Sequence, residues 1–310
     1  MEKLIIATRG SKLALWQSEH IKARLEELRE GLKVELKIIV TSGDKIQDVA
    51  LSKIGGKGLF LKELEEAMLR GEAHMAVHSL KDVPTVMPEG LPLAAITERE
   101  DARDAMLSEK YAGLEELPQN AVVGTSSLRR KMQLLSVRPD LDIRDLRGNV
   151  DTRIRKLKEG QFDAIILAAA GINRLGLGNA VAHVTPILQS QMISSMGQGA
   201  LGLQTIDDKE IFELVHELNH KATEMEVTVE RDFVDILEGG CHVPIGVNAK
   251  VMDNGEITAQ CTLGLPNALE VISETITGKE ADYTQLGKDL AQIVIDKGAR
   301  ELLARADEMD

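Results

Sequence analysis

The 310-residue chain has few aromatic side chains, only two cysteines and no long apolar run. One Trp, two Tyr and four Phe offer little of the stacking surface that holds single-stranded nucleic acid. Cys241 and Cys261 are too few for a disulfide framework and fit a reducing compartment. The longest strongly apolar run, residues 164–172, is well short of the roughly 20 residues that span a bilayer. With no secretory signal visible after Met1, we expect a soluble, cytoplasmic protein that does not enter membranes.

Basic residues are also in deficit, but the deficit is unevenly spread. The chain carries 37 Lys and Arg against 50 Asp and Glu, a formal charge of −13. Residues 201–310 hold 9 basic and 23 acidic side chains, whereas residues 1–200 hold 28 and 27. Residues 121–160 alone hold 10 basic side chains, seven of them Arg, against 5 acidic ones. An acidic protein therefore contains a basic segment, and this contrast needs a local explanation.

The hydrophobic pattern of the first 170 residues predicts alternating strands and helices. The predicted strands are 4–8, 34–40, 74–79, 121–125, 141–146 and 163–170, and the predicted helices between them are 13–28, 60–69, 127–136 and 151–157. Such alternation indicates a parallel or mixed sheet with helices on both faces. A charged connector at 98–104 divides the series into two α/β units in tandem, which is a natural way to build a cleft.

The last third changes character. A long helix is predicted from 207 to 237, followed by a Gly-Gly loop and three alternating strands near 243–251, 256–263 and 269–276. A final amphipathic helix covers 283–304. We therefore expect an acidic α+β module after the two α/β units, and the length fits two or three domains.

Three motif matches fail on their context. His216 to His220 spell H-E-x-x-H, but the apolar stripe of that helix predicts both histidines on the solvent face, so we expect no metal site. Residues 197–202 spell G-x-G-x-x-G without a clean strand before or a helix after, so a tight bend or a domain crossover is favoured. The glycine-rich residues 55–58 are not a Walker A loop, since no Ser or Thr follows the lysine. A lid that places Lys53 and Lys57 over an anion and a plain solvated loop both remain open there.

The basic segment is more informative. Arg129 and Arg130 follow hydroxyl side chains at a predicted helix N-terminus, where backbone N–H groups and guanidinium groups together suit an anion. Arg147 and Arg153 lie at the next strand-to-helix turn. Ligands of open α/β sheets bind at the carboxyl ends of strands, which is where both clusters fall. A merely solvated, charged face is the alternative, while the total charge and the missing recognition motif argue against nucleic acid.

Two further positions could carry chemistry. Lys81 and Asp82 come just after a predicted strand, where the carboxylate could hold a cationic or N–H-bearing substrate or form an ordinary surface pair. Cys241 lies in a loop with two glycines, where its thiol could be a nucleophile or an attachment point. Cys261 lies inside an alternating strand and is typical of a small packed residue.

Eight segments together resemble the porphobilinogen deaminase family, whose members are also called hydroxymethylbilane synthases. They are ATRGSKLALWQ (7–17), KIGGKGLFLKELE (53–65), AVHSLKDVP (76–84), VGTSSLRR (123–130), LRGNVDTR (146–153), DAIILAAAGINRLG (163–176), MGQGALG (196–202) and EGGCHVPIG (238–246). The resemblance runs nearly from end to end, and no functional position of the family pattern is lost. It implies two α/β domains like those of solute-binding proteins flanking a cleft, plus a smaller α+β C-terminal domain with a three-stranded antiparallel sheet. Domain 1 would be 1–98 with 198–217, domain 2 would be 103–191, and domain 3 would be 222–310.

The resemblance also implies a reaction. One dipyrromethane cofactor per chain would be bound to Cys241 through a thioether. Four porphobilinogen molecules would then be joined head to tail with loss of ammonia, and water would release hydroxymethylbilane for porphyrin and heme biosynthesis. Six rings, each with one acetate and one propionate, bring twelve carboxylates into one cleft, and their repulsion would oppose each addition without fixed cations.

The family's roles carry over to matching positions. Asp82, with Lys81, would be catalytic, accepting hydrogen bonds from pyrrole N–H groups and stabilising the positive charge that develops as ammonia leaves. The implied cofactor-binding residues are Cys241, Lys81, Asp82, Thr125, Ser126, Ser127, Arg129, Arg130, Arg147 and Gly171. The implied substrate-binding residues are Arg9, Ser11, Gln17, Arg147, Arg153, Arg174 and Gln198. Lys53, Lys57 and Phe60 would belong to a lid loop.

The competing hypothesis is a cytoplasmic two-lobed anion-binding protein without catalysis. It predicts a reversible ligand and no covalent adduct at Cys241. Nucleic-acid binding would instead predict steeply salt-dependent association. The resemblance favours a monomer whose small-molecule partner is porphobilinogen, with no nucleic acid and no membrane.

Overall fold

The computed structural model describes residues 1–45, 61–237 and 243–309. Backbone contacts divide the chain into two compact units: Met1–Glu100 with Ala200–Glu224, and Asp101–Gly199 with Met225–Asp310. The chain thus leaves the first unit after Glu100, returns to it at Ala200 and leaves it again after Glu224. Residues 197–202 span the return and lead into a strand, so the G-x-G-x-x-G match is the predicted crossover rather than a dinucleotide loop.

The helices and strands alternate along most of the chain. The strands are β1 (Lys3–Thr8), β2 (Lys33–Ile38), β3 (Met75–Ser79), β4 (Leu93–Ile96), β5 (Asp104–Ser108), β6 (Val122–Gly124), β7 (Asp142–Arg144), β8 (Ala164–Ala168), β9 (His183–Pro186), β10 (Leu201–Thr205), β11 (Ile245–Val251), β12 (Glu256–Gly264) and β13 (Val271–Lys279). The helices are α1 (Lys12–Leu28), α2 (Ser42–Lys45), α3 (Lys62–Leu69), α4 (Leu128–Val137), α5 (Val150–Lys158), α6 (Ala169–Arg174), α7 (Lys209–His216), α8 (Lys221–Ile236), α9 (Tyr283–Asp296) and α10 (Ala299–Asp307).

The first unit is built on a five-stranded sheet of order β2-β1-β3-β10-β4. Strand β1 pairs in parallel with β2 and β3, whereas β10 runs antiparallel to β3 and β4. Leu4 and Ile6 of β1 pack with Ile21 and Leu25 of α1 in a core that excludes water. This packing explains why the strand-helix-strand pattern of the first 40 residues is stable, since it buries the apolar face of each element.

The second unit contains a five-stranded sheet with the equivalent order, β7-β6-β8-β5-β9. Strand β6 pairs in parallel with β7 and β8, and β5 runs antiparallel to β8 and β9. Its faces are covered by two cores, one around Val123 and Ile166, the other around Leu107 and Ile165. Apolar side chains on both faces are typical of a sheet sandwiched between helices.

The second unit also contains an antiparallel sheet of order β11-β12-β13. In β12, Ile257, Ala259 and Cys261 alternate with more exposed neighbours and belong to a core that also includes Phe233 of α8 and Leu290 of α9. The three-stranded antiparallel sheet and the α/β class predicted from the sequence are both confirmed. The proposed division into three domains stays a prediction.

Two predicted helices are each broken into two. The helix predicted over 207–237 stops at His216 and resumes at Lys221, because Asn219 Oδ1 accepts the Ile96 N–H at 2.9 Å and the His220 N–H donates to Ile96 O at 2.8 Å. The prediction that both histidines of H-E-x-x-H share a helix face is therefore wrong. The final predicted helix breaks into α9 and α10 at Gly298, which has a φ of 90°.

Residues 1–45, 61–237 and 243–309 contain no group of three or more His, Cys, Asp or Glu arranged to hold a metal ion. No helix in these same ranges is long and apolar enough to cross a membrane.

Candidate functional site

The carboxyl ends of three parallel strands in the second unit gather most of the predicted anion-binding residues. Strands β7, β6 and β8 are neighbours and parallel, so the residues that follow them emerge at the same edge of the sheet. We call this edge, with its five arginines, the arginine edge. Its arginines are Arg129 and Arg130 on α4, Arg147 and Arg153 on the turn and helix after β7, and Arg174 on α6.

The predicted hydroxyl ligands hold the loop between β6 and α4 in place. Ser127 is the N-cap of α4 and accepts the Arg130 N–H at 3.4 Å, while Thr125 Oγ1 accepts the Ser127 N–H at 3.2 Å. Ser126 Oγ donates to Leu146 O at 3.0 Å and accepts the Leu146 N–H at 3.1 Å. These bonds tie the α4 N-terminus to the segment that precedes Arg147.

Arg129 and Arg130 are buried and share a carboxylate that the sequence reasoning did not single out. The Asp104 carboxylate accepts Arg129 Nη1 at 2.7 Å and Arg130 Nη2 at 2.7 Å, and Asp104 has no exposed surface. Burial alone raises the pKa of Asp104, but the charges of Arg129 and Arg130 outweigh it and hold this pKa well below its usual range. Asp104 is the last residue of the charged connector and precedes an apolar run, and this position in the sequence was the signal that could have identified it as buried.

Arg147 and Arg153 form the more open part of the arginine edge. Gly148, with a φ of 112°, makes the turn between them, and Arg153 Nε donates to its carbonyl at 2.8 Å. Burial and the neighbouring charges of Arg130 and Arg147 together lower the pKa of Arg153 to about 10, and burial is the largest cause. Within the part of the chain that the structure describes, Arg153 has no carboxylate partner. Arg153 thus lies close enough to Arg130 and Arg147 to be repelled by both, which suits a site for anionic groups.

The remaining predicted residues of this unit lie around the return of the chain. Arg174 is half-buried, and its Nη2 donates to Gly199 O at 2.6 Å. Gly171 is half-buried on α6, one turn before Arg174. Gln198 is buried, and its Nε2 donates to Ala102 O at 2.8 Å and to Asp104 Oδ1 at 3.0 Å. Gln198 therefore belongs to the buried group of Asp104, Arg129 and Arg130.

In the first unit, Lys81 and Asp82 lie in a 3₁₀ turn, Leu80–Asp82, directly after β3. Leu80 is buried and its N–H donates to Ala200 O at 3.0 Å, which anchors the turn to the sheet. Lys81 is half-buried and Asp82 is exposed. Among residues 1–45, 61–237 and 243–309, no side chain or N–H pairs with the Asp82 carboxylate. The carboxylate is therefore available to a ligand.

Arg9, Ser11 and Gln17 follow the carboxyl end of β1, the strand next to β3. Ser11 is the N-cap of α1 and accepts the Ala14 N–H at 3.3 Å, and Arg9 is half-buried. Gln17 is buried, and its Nε2 donates to Ser79 Oγ at 3.0 Å. Gln17 thus supports the end of β3 from which Lys81 and Asp82 extend.

Four predicted residues, Lys53, Lys57, Phe60 and Cys241, lie outside the described residues. The other cysteine, Cys261, is buried in β12, and burial raises the pKa of its thiol to about 12. A thiol that holds its proton is a poor nucleophile, so Cys261 is a packed core residue.

The two sets of residues have different chemical capacities. The arginine edge offers guanidinium groups, each with several N–H donors, to a ligand that carries more than one carboxylate. Asp82 offers a carboxylate that has no partner among the described residues, and this carboxylate could interact with N–H groups or with a developing positive charge.

The chain matches known protein families and relatives over most of its length. Residues 4–213 match the family described as "Porphobilinogen deaminase, dipyromethane cofactor binding domain", and residues 224–296 match "Porphobilinogen deaminase, C-terminal domain". The chain is 66% identical over 309 residues to a porphobilinogen deaminase of Sulfurimonas denitrificans, covering 100% of this chain and 99% of that one. It is 59% identical over 307 residues to a porphobilinogen deaminase of Nitratiruptor sp., covering 99% and 98%.

Among solved structures, the chain is similar to a TRAP periplasmic solute binding protein from Desulfovibrio salexigens. The TM-score is 0.42 at 12% identity, covering 72% of this chain and 73% of that one. This likeness is too remote to bear on function.

Proposed function

The chain belongs to the porphobilinogen deaminase family, and we propose that it joins four porphobilinogen molecules head to tail on a bound dipyrromethane, with loss of one ammonia per addition. Hydrolysis then releases hydroxymethylbilane, a precursor in porphyrin and heme biosynthesis. The observation that carries this function is the arginine edge, whose crowded cations match a ligand with many carboxylates.

Dipyrromethane is the cofactor of this family, and the donor set present here fits it. The fit rests on the five arginines at one edge of the sheet and on the repulsion that Arg153 experiences from Arg130 and Arg147, which the acetate and propionate groups of the cofactor would relieve. When bound, the cofactor supplies the pyrrole carbon to which the first substrate is joined. We assign its thioether attachment to Cys241, because the other thiol, Cys261, is buried and keeps its proton.

The arginines would carry most of the recognition. Arg129, Arg130, Arg147 and Arg153, with Thr125, Ser126 and Ser127, would hold cofactor and substrate carboxylates. A guanidinium group binds a carboxylate through two parallel hydrogen bonds, so each ring would be held in position as well as neutralised. The helix N-terminus of α4, capped by Ser127, adds a favourable field for an anion.

Asp82 would act on the reacting pyrroles. Its exposed carboxylate, free of partners in the described parts of the chain, can accept pyrrole N–H groups and stabilise the positive charge that forms as ammonia leaves. The anchored turn after β3 keeps the carboxylate in a fixed position, so little reorganisation is needed during the reaction. Lys81, the preceding residue, would pair with a cofactor carboxylate.

The other predicted residues would have supporting roles. Arg9 and Ser11 would contact substrate from the end of β1, and Arg174 from α6, beside Gly171 at the cofactor. Gln17 and Gln198 are buried, so we propose that they act on substrate by supporting Ser79 and Asp104. Lys53, Lys57 and Phe60 would belong to a lid over the growing chain.

We also propose the organisation of the whole protein. Domain 1 would comprise 1–98 and 198–217, domain 2 would comprise 103–191, and domain 3 would comprise 222–310. The separate sheets and cores of the described residues support this division. We expect a cytoplasmic monomer that binds porphobilinogen and has no nucleic-acid or membrane partner.

The proposal is tested by incubating purified protein with porphobilinogen and measuring ammonia and linear tetrapyrrole. We expect four ammonia molecules for each hydroxymethylbilane released. A reversible complex without ammonia would instead make the chain a non-catalytic anion-binding protein and would contradict the proposed activity. Binding of a DNA or RNA oligonucleotide with a steep salt dependence would contradict the expected absence of nucleic-acid partners.

A further inference from the structure

We propose that Asp104 is a positioning residue, which fixes Arg129 and Arg130 at the arginine edge so that they can bind the cofactor carboxylates. The inference rests on the proposed function, because it concerns how that site is built. Asp104 lies at the start of β5, whereas both arginines lie in the first turn of α4. The contact therefore joins the antiparallel strand of the sheet to the helix that carries the cations.

The hydrogen bonds around Asp104 fix both guanidinium groups. Oδ2 accepts Arg129 Nη1 at 2.7 Å, and Oδ1 accepts Arg130 Nε at 3.1 Å and Nη2 at 2.7 Å. Oδ1 also accepts Gln198 Nε2 at 3.0 Å. Asp104 is fully buried and the two arginines are 5% and 6% exposed. Such a carboxylate leaves neither guanidinium group free to rotate.

Backbone carbonyls complete the arrangement. Arg129 Nη1 donates to Ile193 O at 2.7 Å, and Arg130 Nη1 donates to Ile166 O of β8 at 3.0 Å. Ile193 is itself held by Gln133, whose Oε1 accepts the Ile193 N–H at 2.6 Å and whose Nε2 donates to Ile193 O at 3.0 Å. The arginines are thus tied to two separate segments of the unit as well as to Asp104.

Residues 193–194 also contact β11, the strand that follows Cys241, the proposed attachment residue, in the sequence. The Val247 N–H of β11 donates to Ser194 O at 2.9 Å. Gly246 permits this approach, because a Cβ at that position would lie 2.8 Å from Ile193 O. Asp104 and Arg129 are therefore connected to β11 through residues 193–194.

Charge explains why a carboxylate is needed at this position. Two guanidinium groups and one carboxylate leave one surplus positive charge at the edge. Without the carboxylate, two buried like charges would repel, and at least one arginine would turn away toward solvent. The low pKa of Asp104 keeps the carboxylate ionised throughout the neutral range, so the arrangement persists under assay conditions.

A matched control lies at the other end of α4. Arg138, the C-cap residue, pairs with Asp140 at 2.7 Å and also donates to the backbone carbonyls of Leu114 and Leu117. This pair has the same chemistry in the same unit, but it is far along the helix from Arg129 and partly exposed. Asp140→Asn therefore removes an aspartate-arginine pair without touching the arginine edge.

The experiment compares Asp104→Asn, Asp104→Glu and Asp140→Asn with the wild type. Intact mass measures the fraction of purified protein that carries the cofactor adduct, and its growth during incubation with porphobilinogen gives the loading rate. We expect Asp104→Asn to slow loading by roughly tenfold to hundredfold, as misplaced binding groups do. Asp140→Asn should load within about twofold of wild type, since exposed pairs contribute little. Circular dichroism confirms that each variant is folded.

A double variant separates positioning from a general loss of stability. If Asp104 acts through Arg129, then Asp104→Asn should slow loading much less in an Arg129→Lys background than in the wild type. Where Asp104→Asn does not fold, Asp104→Glu tests the positioning role instead, because it keeps the negative charge but displaces the carboxylate by one methylene. A folded Asp104→Glu protein should load at least about tenfold more slowly.

The inference would be overturned if a folded Asp104→Asn protein showed wild-type loading and turnover. Where Asp104→Asn does not fold, the same result in Asp104→Glu would overturn it. Equal slowing by Asp104→Asn in both backgrounds would also overturn it, since the effect would then not pass through Arg129. Failure of the proposed function looks different, because the wild type itself would carry no adduct and release no ammonia.

Discussion

The two five-stranded sheets have equivalent strand orders, yet their antiparallel strands carry opposite kinds of buried polar group. In the first sheet, His78 of β3 donates from Nε2 to Gln204 Oε1 of β10 at 3.0 Å, a neutral pair. In the second sheet, Asp104 of β5 is ionised between two arginines. The hydrogen bond between His78 and Gln204 joins two neutral side chains, whereas the two arginines and one aspartate of the second sheet leave one surplus positive charge.

The residues at the carboxyl ends of the strands also differ in charge between the two sheets. The first presents Asp82 on an anchored turn, and the second presents several arginines. One topology can therefore support two chemical tasks, because the residues after the strands are free to vary while the buried strands hold their positions. We assign stabilisation of the developing cation to the first sheet and recognition of carboxylates to the second.

The largest expected effect concerns the point of attachment. Cys241→Ala should abolish the dipyrromethane adduct in the intact mass and with it all turnover. The matched control is Cys261→Ala, which changes the other thiol. Because Cys261 is buried in β12, this variant should keep the adduct. An active Cys241→Ala protein, or an adduct lost with Cys261, would refute the assignment.

Asp82→Ala tests the task given to the first sheet. We expect kcat to fall by roughly 100-fold or more, as when a preorganised charge-stabilising group is removed, with little change in KM. Steady-state ammonia release measures both parameters. Glu89→Ala, which removes another exposed carboxylate of the same unit, should leave them unchanged. A near-normal kcat in Asp82→Ala would remove Asp82 from this role.

Arg153→Met tests the task given to the second sheet. We expect KM for porphobilinogen to rise by about tenfold to hundredfold, from the loss of a charged hydrogen bond worth roughly 1.5–3 kcal/mol. Arg155→Met is the control, because Arg155 lies on the same helix but pairs with Glu159 in solvent. If both variants raise KM equally, overall charge and not the arginine edge would be responsible.

The pH dependence of stability separates the two buried polar groups. Burial lowers the pKa of His78 to about 4 from an ordinary value of 6.5, so the unfolded chain takes up a proton first as the pH falls. Between pH 7 and pH 5, wild type should lose about 2 kcal/mol more unfolding free energy than His78→Gln, measured by urea denaturation. Asp104 should add no pH dependence to the unfolding free energy between pH 7 and pH 5. Its pKa is depressed, so the stabilisation that the ionised carboxylate provides is lost only in stronger acid. Equal losses in the two proteins would contradict the assignment to His78.

The parallel strands and the residues at their carboxyl ends could be predicted from the sequence. Strands β1, β3, β6 and β8 are apolar runs followed by polar turns, so pattern and motif agree. The antiparallel strands β5 and β10 were missed. They are short and buried on both faces, and their pairing partners lie more than 50 residues away in the sequence. Neither hydrophobic periodicity nor residue propensity therefore distinguishes these strands from other short buried segments.

Asp104 was missed for the same physical reason. In a connector rich in charged residues it has the pattern of a solvated acid, and only the folding of β5 beside β8 brings it to Arg129 and Arg130. The two arginines were predicted as a site from their position at the start of α4, but their burial depends on this tertiary contact. The break between α7 and α8 likewise depends on Ile96, more than 100 residues earlier.

Recognition of the substrate carboxylates by the arginines is tested by comparing porphobilinogen with its dimethyl ester in the same assay. We expect kcat/KM for the ester to be at least about 100-fold lower than for the acid in the wild type, because several charged hydrogen bonds are lost at once. Arg153→Met should narrow this difference, since one of those bonds is already absent. Equal kcat/KM for the acid and the ester would contradict the account.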